Sequence, residues 1–580
     1  MEKRRGLQLI DDADLATIDR EFRTALARMS QGMSPVELGL ATLDWISHIA
    51  ISPGKRLQLT QSLLTKLRDL GIYSVESLFN NEAEGPASAI ERRMSGEAWQ
   101  KWPFKVFAQS HQVTKDWWTE ATMGIEGVRS DHEILVHSVI ERILDMISPA
   151  NTPLTNPDVI KTTVEERGEN LFRGLKYFVK DQLRDAANNG VEENDVYKVG
   201  ENLAVTPGKV VFQNELIELI QYQPVTEKVG AEPVLICPAW IMKYYILDLS
   251  PKNSMVKYLT EQGKTVFIIS SKNPNAEDKN LSFEDYVQLG TLAAIDTVST
   301  ICPKQKINAV GYCIGGTLLS VAAAAMARDD DDRLKSISLL AAQADFSEAG
   351  EITRFISHSQ LSFLEKLMWK RGYLGSKNMG GAFSALRASD LIYAGMVDRY
   401  FIGKETSRND LMSWNADGTR MPYRMHTEYL TQLYLENRLA QNKFKVGGKA
   451  ISMSDITVPM FVVGTETDHV APWQSVFKLH GLTHCELTFL LTSGGHNAGI
   501  VSGPEHPRRR YRVHTRKKGD KFIAPEVWID EIKINPGSWW PEWDAWLDKQ
   551  TSKKIAPPTI AVSIKGHKAL RDAPGEYVFD

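Results

Sequence analysis

Six short apolar runs between residues 233 and 495 restrict the fold more than any other feature: PVLICP, KTVFIISS, KINAVGYC, KSISLLAAQ, VPMFVVGTETD and CELTFLLTSGG. Each has strand length, is apolar almost throughout, and is separated from the next by helical patterning. A strand exposed on one face alternates apolar and polar residues, whereas one covered on both faces does not. The runs therefore predict an α/β fold with a mostly parallel sheet between helical layers. Ahead of them, LAVTPGKVVFQNELIELIQY breaks at Pro207-Gly208 and Asn214-Glu215, as a hairpin or meander does.

The connection from about Asp345 to Thr457 is far longer than a simple crossover. An inserted cap subdomain over the sheet's carboxyl edge accounts for it. Residues 1–195 read as mainly helical. The expected organisation is thus a helical N-terminal domain (1–195) and a catalytic domain (196–580) with a cap at about 345–457. Within the helical part, Asn156-Pro157 supplies an N-cap and a proline at the first helical position. Ile160, Val164, Leu171, Leu175 and Phe178 then mark one apolar helix face, expected to face a core.

Composition excludes several classes. A net charge of -4 gives no overall case for a nucleic-acid partner. The four cysteines, Cys237, Cys302, Cys313 and Cys485, lie far apart without zinc spacing. No metal site and no disulfide framework are expected, and a reducing compartment follows. Acidic residues interrupt the amino-terminal apolar run that a signal peptide needs. The stretch near Leu318–Ala327 is too short to cross a bilayer, so the expectation is a cytoplasmic protein with no transmembrane segment.

NAVGYCIGGTLLSVAAAAMA joins a strand to a helix through Gly311-Tyr312-Cys313-Ile314-Gly315. This is G-x-C-x-G, the nucleophile elbow of the α/β-hydrolase fold with sulfur in place of oxygen. The plain alternative is a small buried cysteine in a glycine-containing turn. Gly316 and the alanine-rich helix, able to pack close to the sheet, favour a nucleophile at a helix amino end, where the dipole favours a thiolate.

An elbow needs an acid and then a histidine, in that chain order. Asp468 closes PMFVVGTETD and His496 follows CELTFLLTSGG, each just past a strand's carboxyl end, where open α/β sheets carry chemistry. Glu466 is the rival acid, but the loop toward Pro472 begins after Asp468. His469 adjoins the acid itself, while His480 and His484 precede the last strand. Backbone amides of Ile314 and of a residue near Ile241, in the loop after PVLIC, are the expected oxyanion donors.

Sulfur also selects the reaction. Moving an acyl group from a CoA thioester onto Cys313 exchanges one thioester for another, so the enzyme-bound group stays activated for transfer to an alcohol. Serine would hold it as an ester no more reactive than an ester product. Transfer is thereby favoured over hydrolysis, although cysteine hydrolases also exist.

Taken together, NPDVIKTTVEERGENLFRGL, VGENLAVTPGKVVFQNELIELIQY, CPAWIMKYYILDLSP, GYCIGGTLL, WNADGTRMP, GTETDHVAPW and SGGHNAGIV resemble the polyhydroxyalkanoate synthases over most of the chain. These bacterial enzymes polymerise 3-hydroxyacyl-CoA into storage polyester. The resemblance is to the single-subunit type that favours short monomers such as 3-hydroxybutyryl-CoA. It implies a Cys313–Asp468–His496 triad, CoA as leaving group with no separate cofactor, and a growing polyester chain as acceptor. It also implies a homodimer at the granule surface, granule-associated partners, and a cap that gates entry. Asp248 falls on a family motif without a role legible from sequence. The segment SGPEHPRRRYRVHTRKKGDKF is more basic than expected for the family. It reads as a solvated loop, with Arg508, Arg509 and Arg510 as an alternative site for CoA phosphates or a granule-associated partner. Hypotheses of other classes are a polyester depolymerase or thioesterase on the same scaffold, and a non-enzymatic granule-associated protein.

Overall fold

All six apolar runs become strands of one eleven-stranded sheet in the computed structural model. The structure describes residues 33–186, 196–379, 392–560 and 569–580, apart from 81, 88, 377, 406 and 407, together with 19, 21 and 22. The chain divides into two compact units, Met1–Asn194 with Gly381–Ser407 and Asp195–Gly380 with Arg408–Asp580. Among the described residues no helix is long and apolar enough to cross a membrane.

The strands of this sheet, all in the second unit, are β1 (Gly208–Gln213), β2 (Ile217–Tyr222), β3 (Val234–Cys237), β4 (Val266–Ser271), β5 (Ile307–Tyr312) and β6 (Leu334–Leu340). β7 (Met460–Thr465), β8 (Leu487–Thr492), β9 (Arg510–Arg516), β10 (Asn535–Pro536) and β11 (Arg571–Asp572) complete them. Their order is β10-β9-β8-β7-β6-β5-β3-β4-β2-β1-β11. The block from β4 to β8 is parallel, and the strands on either side of it run antiparallel. β1 and β2 form the expected hairpin, closed where Asn214 Oδ1 accepts from the amides of Leu216 (2.9 Å) and Ile217 (2.8 Å).

Helix α7 (Ile314–Arg328) follows β5 and is buried along nearly its whole length. The helix can lie this close because Gly311, Gly315 and Gly316 have no side chains. A Cβ at Gly315 would sit 2.3 Å from the carbonyl oxygens of Cys237 and Pro238, and one at Gly316 would sit 2.4 Å from Ala342 Cβ. Backbone cannot yield as a flexible side chain does. Gly315→Ala is accordingly expected to destabilise the protein by about 3 kcal/mol or more, the upper end of overpacking costs, measured as a fall in the denaturant midpoint.

The first unit contains α1 (Pro35–Ile51), α2 (Pro53–Phe79), α3 (Phe104–Thr122), α4 (Ser130–Met146), α5 (Pro157–Glu165) and α6 (Glu169–Ala186). Asn156 caps α5 as expected, accepting from the amides of Asp158 and Val159. The apolar stripe does not face a core. Arg167 and Gly168, both at positive φ, break the helix, and Val164, Leu175 and Phe178 are exposed. The packed face of α6 is largely polar instead, with Phe178 adding one edge-to-face contact to Tyr400. Asn170 donates to Phe401 O (2.7 Å), Gly174 lies against Tyr400 O, Tyr177 stacks under the Arg399 guanidinium, and Asp181 pairs with Arg399 (2.6 Å). Residues within the long insertion therefore group with these helices.

Candidate active site

Cys313 stands between β5 and α7 at φ 53° and ψ -130°, a conformation that costs a residue with a Cβ and persists only where its surroundings hold it. Its amide donates to Leu340 O (2.9 Å), and its carbonyl accepts from the amides of Gly316 (2.9 Å) and Thr317 (3.3 Å). This fixes the turn and leaves the thiol half-exposed. Ile314 opens α7, so its N–H lies among the first amides of the helix, which find no acceptor within it.

The loops after β7 and β8 meet at this turn. Asp468 Oδ2 accepts from His496 Nδ1 (2.8 Å) and from Thr465 Oγ1 (2.9 Å). Its Oδ1 accepts from the amides of Val470 (2.9 Å) and Ala471 (2.8 Å). Burial opposes the charge on Asp468, but His496 and these amides outweigh it and hold the carboxyl below its usual range. Burial likewise opposes an imidazolium, yet the Asp468 carboxylate and the Cys313 sulfur hold His496 well above its ordinary value. His496 is thus bonded to Asp468 through Nδ1, its Nε2 is buried without a partner, and its ring lies 5.8 Å from that of Tyr312, the residue before Cys313. The three side chains therefore gather at one edge of the sheet in an order suited to moving a proton to and from sulfur.

The rivals stand elsewhere. Glu466 pairs with Arg510 (2.9 Å) and Arg512 (3.0 Å) on β9. His480 is a core residue stacked on Phe477, its pKa pushed down to about 4 by burial. His484 is exposed, and His469 lends its carbonyl to the Glu351 amide (3.2 Å). Ile241 is half-buried in the loop after β3, whose first carbonyls lie against Gly315. Asp248 is buried in a polar knot, accepting from Thr206 (2.5 Å), Ser254 (2.7 Å) and Tyr222 (3.3 Å). Burial raises its pKa against those hydrogen bonds, and because Ser254 also caps the following helix, Asp248 ties that helix to the hairpin.

The basic segment is a solvated loop only at its ends: residues 504–508 and 517–522 are exposed loop, whereas Arg510–Arg516 is strand β9, paired with β8. Arg509 turns inward, donating to Ala498 O (2.8 Å), Ser493 O (3.3 Å) and Ser502 Oγ (2.9 Å). Trp539 and Trp540, at the start of α8 (Trp540–Gln550), donate to Gly499 O (3.0 Å) and Ile500 O (2.8 Å). All of these bonds hold the loop that carries His496. Sequence reasoning missed that support, and only the spacing of the tryptophans hinted at it. It also missed a cluster of buried aromatic rings. Burial raises the pKa of Tyr429 and of Tyr434, and a charge on the Cys313 sulfur would raise both further. Tyr429 meets Trp240, and Tyr434 meets Phe346. Among the described residues, Glu37, Asp131 and His132 group possible metal ligands in the first unit, where His132 already binds Asp44 (2.8 Å).

Residues 90–259 match the family described as poly-beta-hydroxybutyrate polymerase (PhaC) N-terminus, and residues 13–55 match poly-beta-hydroxybutyrate polymerase N terminal. Residues 232–502 match the alpha/beta hydrolase fold. A poly(3-hydroxyalkanoate) polymerase subunit PhaC from Rhizobium meliloti is 34% identical over 94% of this chain and 89% of its own length. Its namesake in Rhizobium etli is 37% identical over 85% of this chain and 77% of its own. One from Cupriavidus necator is 31% identical over 93% and 91%.

Proposed function

The chain belongs to the poly(3-hydroxyalkanoate) polymerase family, and from that premise we propose that it polymerises short-chain 3-hydroxyacyl-CoA, above all 3-hydroxybutyryl-CoA, through a thioester on Cys313. The observation that carries this reading is His496 Nδ1 bonded to the buried Asp468 carboxylate (2.8 Å), with its Nε2 buried and unpartnered and its ring beside Tyr312, the residue next to Cys313. His496 takes the proton from Cys313 Sγ, and sulfur attacks the thioester carbonyl. The oxyanion forms beside the Ile314 amide, with Ile241 as the second donor. On collapse the C–S bond to CoA breaks, and His496 returns the proton to the departing CoA sulfur. His496 next takes the proton of a 3-hydroxyl, whose oxygen attacks the Cys313 thioester to form the ester and free the thiol. CoA enters as part of the substrate, so the scheme calls for no separate cofactor.

The short acyl chain rests on the likeness of GYCIGGT to the short-monomer type. A homodimer acting at the surface of a polyester granule in the cytoplasm rests on the family relationship alone. The test is incubation of the purified protein with 3-hydroxybutyryl-CoA, following free CoA and the acyl product. Polymer with matching CoA release is expected, and kcat/KM for 3-hydroxyoctanoyl-CoA about tenfold lower or less. Stoichiometric free 3-hydroxybutyrate without polymer would mean a hydrolase instead.

A further inference from the structure

The loop carrying Ile241 is fastened to the insertion that runs between β6 and β7. Trp414 Nε1 donates to Lys243 O (2.8 Å), and Tyr245 OH donates to Asp417 (2.8 Å). Met242 and Gly418 pair as an antiparallel bridge. At the centre is Thr419, only 1% exposed, which donates from its hydroxyl to Trp240 O (2.9 Å) and from its amide to Ile241 O (3.3 Å). Thr419 is itself held in place, because the next amide, that of Arg420, donates to Asn273 Oδ1 (2.9 Å).

The Trp240 carbonyl and the Ile241 N–H belong to one peptide group. That group is planar and trans, so the two point in opposite directions and turn together. A hydroxyl that fixes the carbonyl therefore fixes the direction of the amide. We propose that Thr419 is a positioning residue: its buried hydroxyl aims the Ile241 N–H as an oxyanion donor, making the set of this donor dependent on the seating of the insertion. The inference rests on the acyl-transfer reading of the site.

Thr419→Val keeps the shape and removes the hydroxyl, while Thr419→Ser keeps the hydroxyl. Initial CoA release from 3-hydroxybutyryl-CoA is measured for both, with rates normalised to the fraction of Cys313 that iodoacetamide titrates. Loss of one oxyanion donor costs about 10²–10³ in kcat, and a misaimed one less, so kcat of Thr419→Val should fall about 10- to 100-fold. KM should stay within about twofold, because the ground-state carbonyl is bound much as before. Thr419→Ser should recover most of the rate. Equal kcat in wild type and Thr419→Val, or a loss confined to KM or to the titratable fraction, overturns the proposal. If Thr419→Val does not fold, Thr419→Ala and Thr419→Ser are compared: the proposal stands if only serine retains kcat and falls if the two turn over alike. A wild-type protein that hydrolyses the thioester defeats the synthase reading, yet the comparison still reports on the same donor.

Discussion

Cys313→Ser is expected to lower CoA release from 3-hydroxybutyryl-CoA by about a thousandfold or more, to abolish polymer, and to leave the fold intact. The elbow tolerates the exchange sterically, since the two side chains differ by one atom and the amide and carbonyl of residue 313 keep their partners. Chemistry is what suffers. Serine holds its proton far more tightly than a thiol, so His496 must do more work to produce the nucleophile. An acyl group placed on oxygen is then already an ordinary ester, and its passage to a 3-hydroxyl gains nothing. Removing one member of a group that acts as a unit costs about 10³ or more in turnover. The measurements are CoA release, mass spectrometry of the acylated protein, and thermal melting, which should shift by no more than about two degrees. Polymer formation at a near wild-type rate would defeat the covalent thioester reading.

Asp468→Asn should cost about a thousandfold or more in kcat, the scale found when a triad carboxylate becomes an amide, and it should also change the pH dependence of stability. His496 is held above its ordinary value. It therefore adds stability that is complete below its unfolded pKa, about 6.5, and is lost as pH rises through the folded one. Asp468 is held below its ordinary value. It adds stability present above its unfolded pKa, about 3.9, and lost as pH falls through the folded one. The pair thus stabilises most between roughly pH 4 and 6.5. With asparagine the carboxylate's pull on the imidazolium is gone, and burial pushes the His496 pKa back down. The melting temperature of Asp468→Asn should fall below wild type chiefly in that window and least in alkali. An equal deficit at all pH values would show that the two residues do not share a charge.

The central strands were legible because a strand covered on both faces cannot alternate, and β3 to β8 all carry that mark. The order of Cys313, Asp468 and His496 was legible because each follows a strand end, so a parallel sheet delivers them to one edge. What escaped reading was packing through polar groups. Helix α6 was assigned a buried face by its leucines, but it packs through Asn170, Gly174, Tyr177 and Asp181, whose partners lie at residues 399–401. Hydrophobic periodicity is blind to a face built from hydrogen bonds. For the same reason Arg509, Arg510 and Arg512 read as free charge although they are bound to carbonyls, a hydroxyl and Glu466. Thr419 lies within WNADGTRMP, but that likeness gave it no role, since its importance lies in a carbonyl that no sequence pattern records.

The loop bearing His496 is gripped from behind by an arginine and two indoles, all of them anchored on the sheet or on α8. Freeing the histidine by backbone opening would mean breaking those bonds together with the packing of the late helix. This loop is consequently expected to melt together with the central sheet rather than fray on its own. Activity and fold are then expected to be lost in a single transition, which heating with parallel readouts of CoA release and circular dichroism would check.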